Sequence, residues 1–324
     1  MQTPRLLSPA ARALLALVLA PVAFLAPIAA WAAEPLVDVP WLKANLGKPG
    51  MVILSVRSGG GVSKDAWLKG HIPGAVFTDY AKDGWREKTA AGIEGQLPAP
   101  EKLEKVVGRF GIDNATHVVL VPEGKTAQDM GAATRLYWTL KVLGHDEVSI
   151  LNGGFQAWVA EVDKDKKPVN PLATDDTAPV ARTFTAKLRP EMLVTKEDVK
   201  QAVAGGVPVV DNRPYDFHMG LTKSSAAKVA GTIPGSLSLP EGWLTENGGG
   251  RFRSKAQLGK LYQTARVPEG GKQISFCNTG HWASLGWFVS SEIMGNKDAK
   301  LYSGSMAEWT ADSSLPVNRI VNLD

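Results

Sequence analysis

Short apolar runs alternate with longer amphipathic ones through both halves of the chain. In the second half, VPVVD (207–211), QISFC (273–277) and KLYSG (300–304) read as strands. Between the last two, HWASLGWFVSSEIMG (281–295) places Trp282, Leu285, Phe288, Val289 and Ile293 at helical spacing. In the first half, MVILSV (51–56), HVVLV (117–121) and VSILNG (148–153) are the matching strands, and GAATRLYWTLKVLG (131–144) is the matching helix. Strands alternating with helices predict an α/β fold, a mostly parallel sheet with helices on both faces. The reactive groups of such sheets collect in the loops at the carboxyl ends of the strands.

The pattern occurs twice. GHIPGA (70–75) returns as GTIPGS (231–236), and LNGGFQAW (151–158) as LYSGSMAEW (301–309). MVILSVRS (51–58) returns as PVVDNRP (208–214), with Ser55 opposite Asp211, and VVLV (118–121) returns as ISFC (274–277). Four short matches in one order imply duplication of a single unit. The expected domains are 33–163 and 184–324, each able to bury its own core. The linker, 164–183, is rich in Pro, Thr and charge and lacks apolar periodicity.

Ahead of the first unit, Arg5 and Arg12 precede an uncharged apolar run (14–30) that Pro21 and Pro27 interrupt, and Ala30-Trp31-Ala32 supplies small residues at a cleavage site. Residues 1–32 therefore read as a signal peptide cut after Ala32, which places the mature chain in the periplasm or outside the cell, with no membrane attachment after cleavage. The formal net charge is +4, of which Arg5 and Arg12 supply two. So small an excess gives no reason to expect a nucleic-acid partner. The five histidines are scattered without ligand spacing, so neither a metal nor any other cofactor is expected. NGGGRFR (247–253) follows no strand and reads as a loop.

Cys277 is the chain's single cysteine, and it stands at the end of a strand. A lone thiol in an exported protein is a buried apolar residue or a reactive group. Asn278, Thr279, Gly280 and His281 must curl around it to enter the helix near Trp282. The backbone N–H groups of residues 278–283, Ala283 included, are then expected to face the sulfur as an anion cradle. Such a cradle favours thiolate, and His281 would add to it if protonated. A cysteine phosphatase would need Arg six positions after the cysteine, where Ala283 stands. A cysteine hydrolase would need a base with an orienting partner, and only His281 is close. Sulfur transfer through a persulfide needs one cysteine and no metal.

At these residues the chain resembles the tandem-domain rhodaneses, the thiosulfate and mercaptopyruvate sulfurtransferases. The likeness rests on Asp211-Asn212-Arg213, GTIPGS, the Cys277 loop followed by a helix, and YSGSMAEW, with GHIPGA and LNGGFQAW repeating two of these marks. It implies two rhodanese-like domains, an inactive first and a catalytic second, and a persulfide on Cys277. Thiosulfate is the implied donor and cyanide or a thiol the acceptor. Mercaptopyruvate or another persulfide donor is the alternative, and a sulfane-sulfur carrier that does not turn over is the rival from a different class. The implied partners are a small sulfur substrate and an acceptor that is a thiol or a protein.

The pattern departs from the family in two places. CNTGHWAS carries neither the basic residue of the thiosulfate type nor the Gly-Ser of the mercaptopyruvate type. The position of the family's substrate-holding Arg is Phe217, next to His218. The cation is therefore sought at Lys223, Lys228, Arg251 or Arg253. Asp211 and Arg213 are expected to brace the loop, and His218 to brace it or lie beside the substrate. Trp282 is expected to pack the helix start.

Overall fold

The alternating runs build two parallel sheets. The structure, a computed structural model, describes residues 33–59, 63–176 and 178–323; the expected signal segment and its cleavage site lie outside them. The first half runs β1 (Leu36–Val37), α1 (Val39–Asn45), β2 (Met51–Arg57), α2 (Lys64–Trp67), β3 (Ala75–Asp79), α3 (Pro100–Arg109), β4 (His117–Pro122), α4 (Ala127–Val142), β5 (Val148–Leu151) and α5 (Gly154–Val159). The second runs α6 (Lys196–Ala204), β6 (Val209–Asp211), α7 (Tyr215–Met219), β7 (Leu237–Ser238), α8 (Lys255–Thr264), β8 (Gln273–Phe276), α9 (His281–Phe288), β9 (Ala299–Leu301) and α10 (Ser305–Trp309). The sheet orders are β1-β5-β4-β2-β3 and β7-β6-β8-β9, and every pairing is parallel. Among the described residues, no helix is long and apolar enough to cross a membrane.

The period of two along a strand divides the core. Leu54, Val56, Val118, Leu120 and Ile150 face one apolar cluster, while Ile53, Val119, Val121 and Leu151 face another on the opposite side of the first sheet. Val209, Ile274 and Phe276 line an outer cluster of the second half, but Val210, Leu285, Phe288 and Leu301 join the first cluster. The halves thus share their central core, where the sequence suggested one for each. The shared layer is made by α4 and α9, each the helix that follows its half's central strand. The single apolar stripe expected on α9 is replaced by burial nearly all round, from Ala283 to Phe288, because α4 covers the face a two-layer unit would leave to water. Close approach needs a small residue: a Cβ on Gly131 of α4 would lie 2.7 Å from His281 Nε2.

The segment expected as a linker is strapped to the first half. His71 and Ala173 exchange backbone hydrogen bonds, Arg182 N–H donates to Gly108 O, and Lys187 and Arg189 donate to Leu143 O and Val142 O. Phe184 is buried against His145. The chain leaves the first half's surface only after Arg189.

Candidate active site

Cys277 is the first residue after β8, which lies between β6 and β9 in the second sheet. Residues 277–280 carry the chain from β8 into α9. The turn is closed by Gly280 at φ 74°, and a Cβ there would fall 2.1 Å from Arg135 Nη1, so both conformation and space require glycine.

Two structures hold this loop. On one side, Met306 N–H donates to Cys277 O (3.0 Å) and Ala307 N–H to Asn278 O (2.9 Å), so the first turn of α10 takes the loop's carbonyls. In a trans peptide the N–H opposes the C=O. The N–H groups of Asn278 and Thr279 are therefore turned away from α10. Gly280 departs from the expected cradle: its N–H donates to Ser305 Oγ (3.2 Å), as does that of Cys277 (3.0 Å). Ser305 in turn donates to Tyr302 O (2.9 Å), with Cys277 Sγ 3.9 Å away. It adopts φ 51°, a left-handed conformation uncommon for a side-chain-bearing residue. His281, Trp282 and Ala283 open α9, whose N-terminus has no side-chain cap.

On the other side, Arg135 reaches across from α4. Its Nη1 donates to Gly280 O (3.0 Å), and its Nη2 donates to Gly95 O (3.0 Å) and Ser303 Oγ (2.8 Å). It is fully buried, and burial lowers its pKa to about 10, so it stays cationic at neutral pH.

His281 is buried as well. Its Nε2 lies 3.0 Å from Gln128 O and its Nδ1 3.0 Å from Tyr80 Oη. Burial, then the charges of Arg86 and Arg135, push its pKa down to about 3, so the imidazole is neutral. A carbonyl only accepts, which places the proton on Nε2 and makes Tyr80 O–H the donor to Nδ1. The positive charge considered for His281 is therefore absent, because the ring is buried and two arginines already occupy its surroundings.

Cys277 sits at the floor of a cleft of about 250 Å³ between the halves. Tyr80, Arg86 and Gln128 of the first half face Asn278, Thr279 and Trp282 of the second. Trp282 donates Nε1 to Gln128 Oε1 (2.7 Å) and meets Phe217 edge-on.

Asp211, Arg213 and His218 lie under the loop and do not line this cleft. Asp211 is fully buried and accepts from Arg213 Nε (2.8 Å), Arg213 Nη2 (2.6 Å), His218 Nδ1 (3.1 Å) and Thr232 Oγ1 (2.8 Å). Burial alone would raise its pKa, but the Arg213 charge and these bonds hold it at about 2. Arg213 also donates to Gly231 O (2.9 Å). The carboxylate thus ties the end of β6 to the GTIPGS turn, beside Phe276 in the register.

The four cations considered from sequence also lie elsewhere. Arg253 Nε donates to Trp243 O, Lys223 Nζ to Ala227 O, and Arg251 lines a separate surface cleft near Asp38 and Asn152. Lys228 does not line the cleft of Cys277 either. Among the described residues, no group of His, Cys, Asp and Glu could hold a metal ion.

Tyr80, Arg86, Gln128, Arg135 and Ser305 were not singled out from sequence. Two had a signal. Ser305 stands where the repeat has Gly154, and Arg135 is a charge in the middle of α4, flanked by the uncharged stretches that separate it from Asp129 and Lys141.

The rhodanese-like domain model matches residues 38–161 and 195–312. The chain belongs to the rhodanese family. It is 33% identical over 291 residues to a putative thiosulfate sulfurtransferase, SseA, of Mycobacterium leprae, a match covering 88% of this chain and 90% of that one. It is 31% identical over 295 residues to a thiosulfate sulfurtransferase of Corynebacterium glutamicum, at the same coverage. The 3-mercaptopyruvate sulfotransferase SseA of Escherichia coli superposes with a TM-score of 0.70 at 25% identity, over 84% of this chain and 99% of that one. An anaerobic ergothioneine biosynthesis enzyme of Chlorobium limicola gives 0.72 at 22% identity over 89% and 71%, a likeness of fold. The rhodanese chain described here thus carries two rhodanese-like domains, with its thiol in the second.

Proposed function

We propose that this rhodanese-type sulfurtransferase carries sulfane sulfur on Cys277 and that thiosulfate is its donor. The observation that carries the reading is the position of the chain's one thiol: first residue of the loop, at the floor of the cleft, in a loop clamped from both halves. The Cys277 thiolate forms a bond to the outer sulfur of thiosulfate, the S–S bond to the sulfonate breaks, and sulfite leaves with its electron pair. Cyanide or a thiolate then attacks the outer sulfur of the persulfide, and the Cys277 thiolate leaves. The N–H groups of Asn278 and Thr279, with those opening α9 at His281, Trp282 and Ala283, hold the anion in both states. Asp211, Arg213 and His218 brace the loop from below.

The names of the M. leprae and C. glutamicum relatives favour thiosulfate; that of the E. coli structure supports mercaptopyruvate as the second reading. Steady-state thiocyanate formation tests both. Sustained turnover with kcat/KM for thiosulfate above that for mercaptopyruvate, and none in Cys277→Ser, supports the first. The reverse order supports the second, and a single burst equal to the enzyme concentration makes the protein a carrier. We further propose export. The basic-apolar-small pattern of residues 1–32 supports it, and a mature N-terminus at Ala33 in a periplasmic or extracellular fraction would test it.

A further inference from the structure

We infer that Arg86, supplied by the first half, binds the anionic group of the sulfur donor over Cys277. The inference rests on the sulfur-transfer reading above and gives the donor its class: a small anion bearing transferable sulfur, whose sulfonate or carboxylate pairs with a guanidinium.

Four observations converge on this residue. Arg86 lines the same cleft as Cys277 and Thr279. Its Nη1 is close to the loop: a Cβ built on Gly95 would lie 2.8 Å from Thr279 Cβ and 3.4 Å from Arg86 Nη1. Its guanidinium stacks on Tyr80, 4.3 Å from the ring centroid, which fixes one face and leaves the N–H edges for a ligand. Among the described residues it forms no ion pair, and its buried Nε has no acceptor. The acids near it in sequence are engaged elsewhere: Glu87 with Lys102, Glu94 with Lys88 and Asp83 with Arg109. A buried donor without an acceptor is costly, and an anion in the cleft would satisfy it.

Other charges around the thiol are already committed. Arg135 is spent on Gly280, Gly95 and Ser303, Arg213 on Asp211, and His281 is neutral with both nitrogens bonded. Tyr80 donates to His281, and Ser305 to Tyr302. Arg86 is left as the open cation. It takes the role the Phe217 position lacks, from the opposite wall of the cleft. With thiosulfate it would hold the sulfonate while Cys277 takes the outer sulfur and sulfite leaves. With mercaptopyruvate it would hold the carboxylate while the C–S bond breaks and the enolate, gaining a proton, leaves as pyruvate.

The test compares the full-length mature protein with Arg86→Gln and Arg86→Lys. KM and kcat are measured for thiosulfate and for mercaptopyruvate, and the source of the anion is the donor whose KM responds. In parallel, Cys277 is alkylated with iodoacetate and with iodoacetamide, which form the same C–S bond and release the same iodide but differ in charge. We expect Arg86→Gln to raise the donor's KM about tenfold, with kcat within about twofold. The iodoacetate-to-iodoacetamide rate ratio should fall several-fold, and Arg86→Lys should recover much of both. An unchanged ratio and KM, or equal slowing of both reagents, would overturn the assignment. If the wild type forms no persulfide while Arg86→Gln still lowers the ratio, the sulfur-transfer reading is defeated and the anion site stands.

Discussion

The loops that follow β4 and β8 occupy the same place in the two halves and have opposite contents. Each spans four residues, 123–126 and 277–280, between a buried central strand and a buried helix. The first residue is Glu123 in one and Cys277 in the other. Glu123 O accepts from Gln156 N–H, much as Asn278 O accepts from Ala307 N–H. The first loop, however, holds its own anion: the Glu123 carboxylate pairs with Arg57, which is buried, and with Lys125. In the second half the arginine at the matching position, Arg213, is drawn back onto Asp211, where the first half has Ser55. Moving one carboxylate from the loop to the strand below it empties the space above the loop. The second half keeps the anion-holding geometry without an internal anion, and a thiol stands there instead.

This contrast is open to disruption. Glu123→Gln leaves the buried Arg57 without its counter-charge, which costs about 3 kcal/mol; the urea midpoint should fall while sulfur transfer per folded molecule is retained. Cys277→Ala should do the reverse, removing all sulfur transfer while changing stability by about 1 kcal/mol at most. Equal loss of activity in both variants would end the distinction between a structural and a chemical loop. Arg135→Met takes the donor from the buried Gly280 O and from the half-buried Gly95 O and Ser303 Oγ, at about 1 kcal/mol each. It should lower stability by roughly 3 kcal/mol and slow sulfur transfer, because Gly280 loses its anchor.

Ser305 and Gly154 sharpen the comparison further. Both begin the helix behind their loop, at φ 51° and 58°. Ser305→Gly relieves about 1 kcal/mol of left-handed strain while deleting the hydroxyl that accepts from Cys277 and Gly280. The buried N–H groups of Cys277 and Gly280 then lack an acceptor, at about 1 kcal/mol or more each, so the melting temperature should fall slightly and kcat/KM should drop about tenfold. Gly154→Ser should destabilise outright, since its Cβ would meet Pro122 O at 2.4 Å. The smallest effect is titrational. His281 is depressed to about pKa 3 in the folded chain and is ordinary, near 6.5, when unfolded. The unfolded state therefore binds the extra proton between those values, and stability falls as pH drops from about 6.5 toward 3. In His281→Gln, urea midpoints measured from pH 7 to pH 4.5 should fall less steeply than in the wild type.

Much of this was readable in the chain. The period-two strands and the repeated GxIPGx and LxxG marks are local signals, and they place the sheets, the duplication and the thiol at a strand's end. The cleft was less legible because it is built across the halves. Arg86 lies in WREK, and the 190 residues between it and Cys277 leave no periodicity linking them. The neutrality of His281 comes first from its burial and then from Arg86 and Arg135, none of which sequence spacing reveals. The shared core had the same cause: the all-round burial of α9 is set by α4, a partner that a pattern within one helix cannot reveal. Ser305 could have been found by aligning LNGGF with LYSGSM and asking why a left-handed glycine becomes serine beside the cysteine.

The most direct test is the intact mass of the mature protein after brief exposure to thiosulfate, beside Cys277→Ala, with cyanide added last. A gain of about 32 Da, one sulfur atom, on wild type alone and its loss on cyanide is the expected result. No gain from thiosulfate, mercaptopyruvate or polysulfide, or an equal gain on Cys277→Ala, would contradict sulfur transfer through this thiol.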